Sequence, residues 1–309
     1  MLWVLILLPV CLIAYGFALL HYSCARRDRD EGWEDRRVAE SGNPAWQKAW
    51  RAGSEWLARQ EVEDLTVQSD DGFLLHALLV PHIAPRATVL LFHGWHSSAE
   101  MDFLCILPML HSLELQCLLV DERAQGDSEG QYMTFGVKER LDVPVWVDYA
   151  ASRFGRTHPL FLQGMSMGAS VVLMASAQRF DANVRGIVAD CGFTSPHEIV
   201  SAVWRSKTPL PSYFTVWLLN WYTRLFAGFS LNECSALDAL RETDYPVLFI
   251  HGTADRFVPS YMTKKMYDAC KSGKALLLVE NAGHCMSALV GGKRYEAAYR
   301  EFVQKHIWA

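Results

Sequence analysis

Apolar residues fall along this chain in three textures, and each predicts a different kind of element. From Met1 to Tyr22 they run almost without interruption and without a single charge. From Glu61 onward short apolar runs alternate with amphipathic stretches. Val62 to Ser69 and Phe73 to Val80 alternate apolar and polar positions loosely around Asp70-Asp71-Gly72, the signature of a hairpin. Buried-strand candidates follow at Thr88 to Phe92, Cys117 to Val120, Pro159 to Leu162, Val184 to Ala189, Val247 to Ile250 and Ala275 to Val279. Helical spacing separates most of them, at Glu100 to Ser112, Val137 to Arg153, Met167 to Gln178, Ser260 to Cys270 and Lys293 to Ile307. Such interleaving predicts an α/β fold, a mostly parallel sheet with helices on both faces. The third texture lies between Gly192 and Tyr245, where aromatic-rich helical text carries no strand. An insertion there, about 194 to 244, would sit over the carboxyl ends of the strands as a short helical lid.

The first texture has about the ~20 residues that a bilayer-spanning helix needs. Arg26, Arg27, Arg29, Arg36 and Arg37 follow it and no Lys or Arg precedes it, so the positive-inside bias puts the bulk of the chain on the cytoplasmic side. The expectation is an uncleaved single-pass transmembrane anchor over 1–25. Its rival is a signal peptide cut near Ser23 and Ala25, against which stand the missing basic n-region and the arginines just after the cut. Residues 26–60 are then a juxtamembrane linker and helix. The charge-dense stretch to Gly42 is the linker, and Asn43 with Pro44 supplies an N-cap and first helical residue. Trp46, Trp50 and Leu57 give that helix an apolar side, which either lies in the membrane interface or packs on the globular domain. Gly53 and Ser54 interrupt the pattern. Residues 61–309 form the remaining domain.

Composition narrows the partners. The chain has 309 residues and a net charge of −5, with no basic run, which argues against nucleic acid. Eight cysteines are scattered, with no CxxC pair and no Cys/His cluster at metal-ligand spacing, so they predict reduced thiols and no metal. Cys285, beside a histidine, is either a reactive thiol or a small core residue.

The chemistry concentrates at strand ends. Gly164-Met165-Ser166-Met167-Gly168 lies between a strand and a small-residue helix, a sharp turn with a serine at its apex. A serine hydroxyl needs an adjacent base, and the base needs an orienting acid. The strand Val247 to Ile250 runs into a loop ending at Asp255, and the next strand runs into one ending at His284. Serine, acid and histidine in that chain order are what an elbow-type hydrolase requires: His284 takes the Ser166 proton and Asp255 fixes the imidazole tautomer. The Met167 N–H, first in the helix after the serine, is one expected oxyanion donor. The Trp95 N–H, in the loop His93-Gly94-Trp95 after an earlier strand, is the other.

On these residues the chain resembles the α/β-hydrolase superfamily over roughly 62–307. The marks are His93-Gly94 after a strand, Asp121-Glu-Arg-Ala-Gln-Gly-Asp-Ser-Glu-Gly130 as a variant of the family's D-x-R-G-x-G-x-S-x-G loop, the serine elbow, Gly252-Thr-Ala-Asp255 and Gly283-His284. The short lid and Ala227 to Ala236 look like small bacterial serine hydrolases described loosely as esterases or peptidase-like hydrolases. Ala124 stands where the family loop usually has glycine. The resemblance implies a covalent acyl-enzyme mechanism without a cofactor, acting on a small-molecule ester or lipid. A thioesterase or peptidase on the same triad, and a non-catalytic binding protein of this fold, stay open beside it.

Each residue also has a plainer role. Ser166 could cap a helix and Asp255 could cap the one near Pro259, while Asp190, at the end of the Val184 to Ala189 strand, competes as the acid. His93 and His251 suit structural roles, and Asp127 and Asp142 suit scaffolding. Trp217 and Trp221, at i and i+4 in the lid, line an apolar acyl pocket, pack on the sheet domain or lean on the bilayer.

Overall fold

The computed structural model describes residues 2–27 and 29–307. Eight strands form one sheet in the order β1-β2-β4-β3-β5-β6-β7-β8. They are β1 (Glu63–Gln68), β2 (Leu74–Val80), β3 (Ala87–Phe92), β4 (Leu115–Val120), β5 (Leu160–Met165), β6 (Val184–Asp190), β7 (Val247–Gly252) and β8 (Lys274–Val279). β1 and β2 form the expected hairpin and β2 joins β4 antiparallel; every other pairing is parallel. The central strands β3, β4, β5 and β7 are buried at every position, which is why they appear in the sequence as unbroken apolar runs rather than alternations.

Helices cover both faces, as the alternation predicts. They are α1 (Leu2–Cys24), α2 (Trp33–Glu40), α3 (Pro44–Leu57), α4 (Ala99–Phe103), α5 (Leu107–Ser112), α6 (Glu139–Phe154), α7 (Met167–Ala175), α8 (Pro196–Lys207), α9 (Tyr213–Tyr222), α10 (Ala236–Glu242), α11 (Tyr261–Ala269), α12 (Ser287–Gly291) and α13 (Lys293–His306). Leu162, Ala169, Val172 and Met262 belong to one core cluster, and Leu107, Phe161, Tyr299 and Phe302 to the other, on opposite sides of the sheet. The single helix expected over Glu100 to Ser112 is two, α4 and α5, with Pro108 in the first turn of the second. The insertion after β6 is helical throughout, α8 to α10 with a π-helical turn at Thr223–Ala227.

The amino-terminal region departs most from expectation. Within the stretch treated as a linker, Trp33–Glu40 is helical, with Glu34 and Asp35 in its positive first turn. Asn43 caps α3 as predicted, accepting the Trp46 N–H at 3.2 Å. Gly53, which seemed to interrupt α3, is where it touches the domain: a Cβ there would meet the Leu104 carbonyl oxygen at 2.0 Å. Of the interfacial and packed alternatives for α3, the structure has the packed one.

The apolar run does form a helix, but its role differs from a free anchor. Side chains of residues 1–6 and 8 lie outside the described residues, and among the described residues no helix is long and apolar enough to cross a membrane. The second half of α1 is docked instead. Leu20 and Cys24 are buried, the Tyr15 and Thr215 hydroxyls are 3.2 Å apart, and the Phe17 ring meets Tyr222 edge to face and Phe226 at a tilt. Two of the five arginines behind it that set the topology prediction bond loop carbonyls of the domain: Arg26 reaches Gly126 and Ser128, and Arg29 reaches Ser97. The boundary drawn at residue 25 therefore cuts through a packed unit.

Candidate active site

Three strand ends deliver the polar residues. The elbow between β5 and α7 holds Ser166 at φ 56°, ψ −114°, a conformation an L-residue adopts only under constraint. The constraint is close packing. A Cβ on Gly164 would meet the Gly168 carbonyl oxygen at 2.1 Å, and one on Gly168 would meet that of Phe92 at 2.0 Å. The Ser166 N–H also donates to the Asp190 carbonyl at 2.9 Å, tying the turn to β6.

His284, in the loop after β8, brings Nε2 to 2.9 Å from Ser166 Oγ and Nδ1 to 2.7 Å from Asp255 Oδ2. Asp255 is fixed from both sides. Its Oδ1 accepts the N–H groups of Phe257 and Val258 at 2.8 and 2.9 Å, and its Oδ2 also lies 3.2 Å from His251 Nε2. Burial alone would raise this carboxyl, but the hydrogen bonds from His251 and His284 outweigh it and hold the group well below the usual carboxylate range. For His284, desolvation opposes the charged ring, while the Asp255 carboxylate bonded to it favours that form and holds its pKa above the ordinary value. A hydroxyl, an imidazole and a carboxylate in this line can pass a proton from oxygen to nitrogen.

The competing acid, Asp190, does not join the line. It accepts the Ser287 hydroxyl at 2.8 Å, and burial pushes its carboxyl up to about 6. His251 bonds Thr263 and the Val258 carbonyl, so the structural role expected of it includes bracing the acid. His93 donates Nδ1–H to the Gly94 carbonyl and accepts the Glu122 N–H at Nε2, and burial keeps it neutral. Asp142 pairs with Arg123 in the scaffolding role expected of it.

Two segments flank the serine, the start of α7 and the loop after β3. Met167 opens α7, so its N–H has no acceptor within the helix. The His93-Gly94-Trp95 loop presses on the serine: a Cβ at Gly94 would stand 3.2 Å from Ser166 Cβ. Asp102, which sequence reasoning passed over, accepts the Gly94 N–H at 2.6 Å and the Ser97 hydroxyl at 2.6 Å, pinning that loop. Nothing local in the sequence marks Asp102, because the partner it restrains is eight residues away.

Two cavities meet at Ser166. One, of about 370 Å³, is lined almost wholly by apolar side chains, among them Phe135, Phe193, Ile199, Val203 and Leu219, with Leu19 and Tyr22 of α1 as an outer wall. The other, of about 500 Å³, is more polar and is bordered by Arg37, Glu40, His96 and Asp102. Trp217 and Trp221 line neither; they are 56% and 57% exposed. The lid helix turns Thr215 and Leu219 inward, and the two tryptophans occupy the opposite side, so their i, i+4 spacing marks the outer face.

Fold and site define an α/β hydrolase. The family model described as Hydrolase_4, serine aminopeptidase S33, matches residues 83–238, and the chain belongs to that family. Among curated proteins it is 27% identical over 228 residues to the uncharacterized protein YqkD of Bacillus subtilis, covering 73% of each chain. It is 24% identical over 212 residues, 68% of each, to the yeast protein YNL320W of Saccharomyces cerevisiae, described as an uncharacterized membrane protein. Among solved structures, the Pyrococcus furiosus esterase Pf2001 superposes with a TM-score of 0.68 at 21% identity, over 82% of this chain and 94% of that one.

Proposed function

We propose that the protein is a serine carboxylesterase for lipophilic esters. The observation that carries this reading is the Ser166–His284–Asp255 line, 2.9 and 2.7 Å between its atoms, opening on an apolar cavity. His284 takes the Ser166 proton as the oxygen attacks the ester carbonyl, and Asp255 stabilises the imidazolium. The Trp95 and Met167 amides receive the developing oxyanion, each worth ~3 kcal/mol of transition-state stabilisation. The acyl chain lies in the cavity of Phe193 and Leu219, the alcohol leaves through the polar cavity, and water then releases the acid. No cofactor takes part in this scheme.

The family's peptidase description is the second reading. An aminopeptidase needs an anion to hold the substrate's free amine, and Glu40 and Asp102 do border the polar cavity, with Asp102 already engaged by the Gly94 N–H and the Ser97 hydroxyl. The apolar cavity, whose only charged side chain among the described residues is Lys207, a cation, favours a lipophilic acyl group and carries the ester reading.

The outer surface supports a lipid setting. Val10, Ile13 and Phe17 of α1 and Tyr213, Trp217, Trp221 and Leu225 of the lid are all exposed, and α1 packs on α9. We infer that this face rests in a membrane interface, where Trp and Tyr are favoured, and that substrate enters from it.

A fluorophosphonate probe tests the chemistry. Wild-type protein labels and Ser166→Ala does not. Labelling of both alike would overturn the assignment. Because protonated His284 cannot act as base, kcat/KM for a p-nitrophenyl ester rises with pH as that proton is lost and falls toward acid.

A further inference from the structure

The catalytic scheme leaves two thiols unused beside its base. Cys191 follows β6 and Cys285 follows His284, 94 residues apart in sequence, yet their sulfurs are 3.7 Å apart. Both backbones are held at positive φ, 49° and 59°. One ligand atom from each of Cys191, His284 and Cys285 lies within 4.8 Å of the others. Cys285 and His284 border the polar cavity that opens at Ser166, so the cluster has an entry path.

The sulfur separation selects among the uses of such a pair. A disulfide would require the sulfurs to close to about 2.0 Å. In a tetrahedral zinc site with Zn–S near 2.3 Å, two thiolates stand about 3.8 Å apart along one edge. The observed spacing is already that edge. A third ligand comes from the imidazole. The surroundings suit a cation: Asp190 is wholly buried with Oδ2 unpartnered, and Asp255 stands on the far side of the ring. Sequence spacing gave no metal-ligand cluster, because the fold, not the local chain, brings these residues together.

We propose that Cys191, Cys285 and His284 form a binding site for a thiophilic divalent cation, zinc by its chemistry, and that filling it switches the enzyme off. As each sulfur–metal bond forms, the thiol proton passes to solvent. Both imidazole nitrogens are engaged in the relay, so whichever one the metal takes is withdrawn from Ser166 or from Asp255. The inhibitory half of the proposal rests on the esterase reading; the binding half does not.

Cobalt(II), titrated into the full-length protein, is the probe. The thiolate-to-cobalt charge-transfer band in the near ultraviolet should appear at one equivalent and be lost in Cys285→Ser and in Cys191→Ser/Cys285→Ser. Thermal melts of each variant check that it is folded, and the single variant stands if the double one is not. Zinc should inhibit p-nitrophenyl ester hydrolysis by the wild type, with the inhibition constant raised at least tenfold in Cys285→Ser. Absence of the band in wild type overturns the site whatever the enzyme's activity. A band that survives Cys285→Ser does the same. A Cys191–Cys285 crosslink found by mass spectrometry after mild oxidation, with no cobalt band in the reduced protein, assigns the pair to disulfide chemistry instead. A cobalt band in a protein that no fluorophosphonate labels would retain the metal site and remove the esterase reading.

Discussion

The rim of the sheet and the cap above it enclose the same serine by opposite means. At the rim, backbone packs on backbone: Gly164 and Gly168 let strand and helix approach within distances that forbid a side chain. In the cap, α1 and α9 meet through side chains, with aromatic rings such as Phe17 and Tyr222 set edge to face. A backbone contact cannot yield, whereas a ring can rotate away. The rim is thus suited to holding side chains within tenths of an ångström, and the cap to adjusting around whatever fills the apolar cavity.

The largest expected effect follows from that difference. Gly168→Ala gains about 1 kcal/mol of helix propensity but drives its Cβ to 2.0 Å from the Phe92 carbonyl oxygen, so β3 and α7 must part. Stability should fall by about 3 kcal/mol in urea titrations, and activity should disappear. Gly16→Ala in the cap has a comparable formal clash, 2.2 Å from the Tyr222 ring, yet should cost no more than about 1 kcal/mol because that ring can swing outward. Equal losses in the two variants would erase the distinction between rim and cap.

A smaller effect separates the two faces of the cap itself. Leu219→Trp fills the apolar cavity and should lower kcat/KM for long-chain p-nitrophenyl esters about tenfold while sparing acetyl esters. Trp217→Ser with Trp221→Ser alters only the outer face. It should leave turnover of short soluble esters unchanged and weaken sedimentation with lipid vesicles. Loss of soluble-ester turnover in the tryptophan variant would put those side chains back in the pocket.

These contrasts also explain what could be seen in the sequence. The strands, the elbow and the order Ser166, Asp255, His284 were legible because each motif is local: an apolar run ends in a short loop that ends in a polar residue. A parallel sheet then carries such loops to one edge without further information. The cap was not legible in the same way. Helical periodicity reveals that α9 has an aromatic stripe, but not which face meets the domain, since both faces are apolar. For α1, an unbroken apolar run fits a membrane span and a docked helix equally well; only Leu20, Cys24 and the Arg26 contacts distinguish them. Asp102 and the Cys191–Cys285 pair depend on tertiary proximity and had no local signal.

The smallest predicted effect lies at Ala124, where the sequence departs from the family loop. The left-handed conformation that glycine normally supplies is kept: Ala124 sits at φ 59°, its N–H donating to the Glu129 carbonyl at 2.8 Å. Neighbours enforce it. A Cβ on Gly130 would stand 3.0 Å from the Ala124 nitrogen, and Arg123, in the same loop, is locked by Asp71 and Asp142. An alanine in this region costs ~1–2 kcal/mol in the folded state, while glycine adds entropy to the unfolded one. The folded-state term is the larger, so Ala124→Gly should stabilise the protein by about 0.5–1 kcal/mol in urea titrations, with ester turnover unchanged. Its methyl group is almost wholly buried, which subtracts some of that gain. A destabilised Ala124→Gly would mean that the buried methyl outweighs the strain, and that this loop is held by packing in the manner of the cap rather than by backbone fit in the manner of the rim.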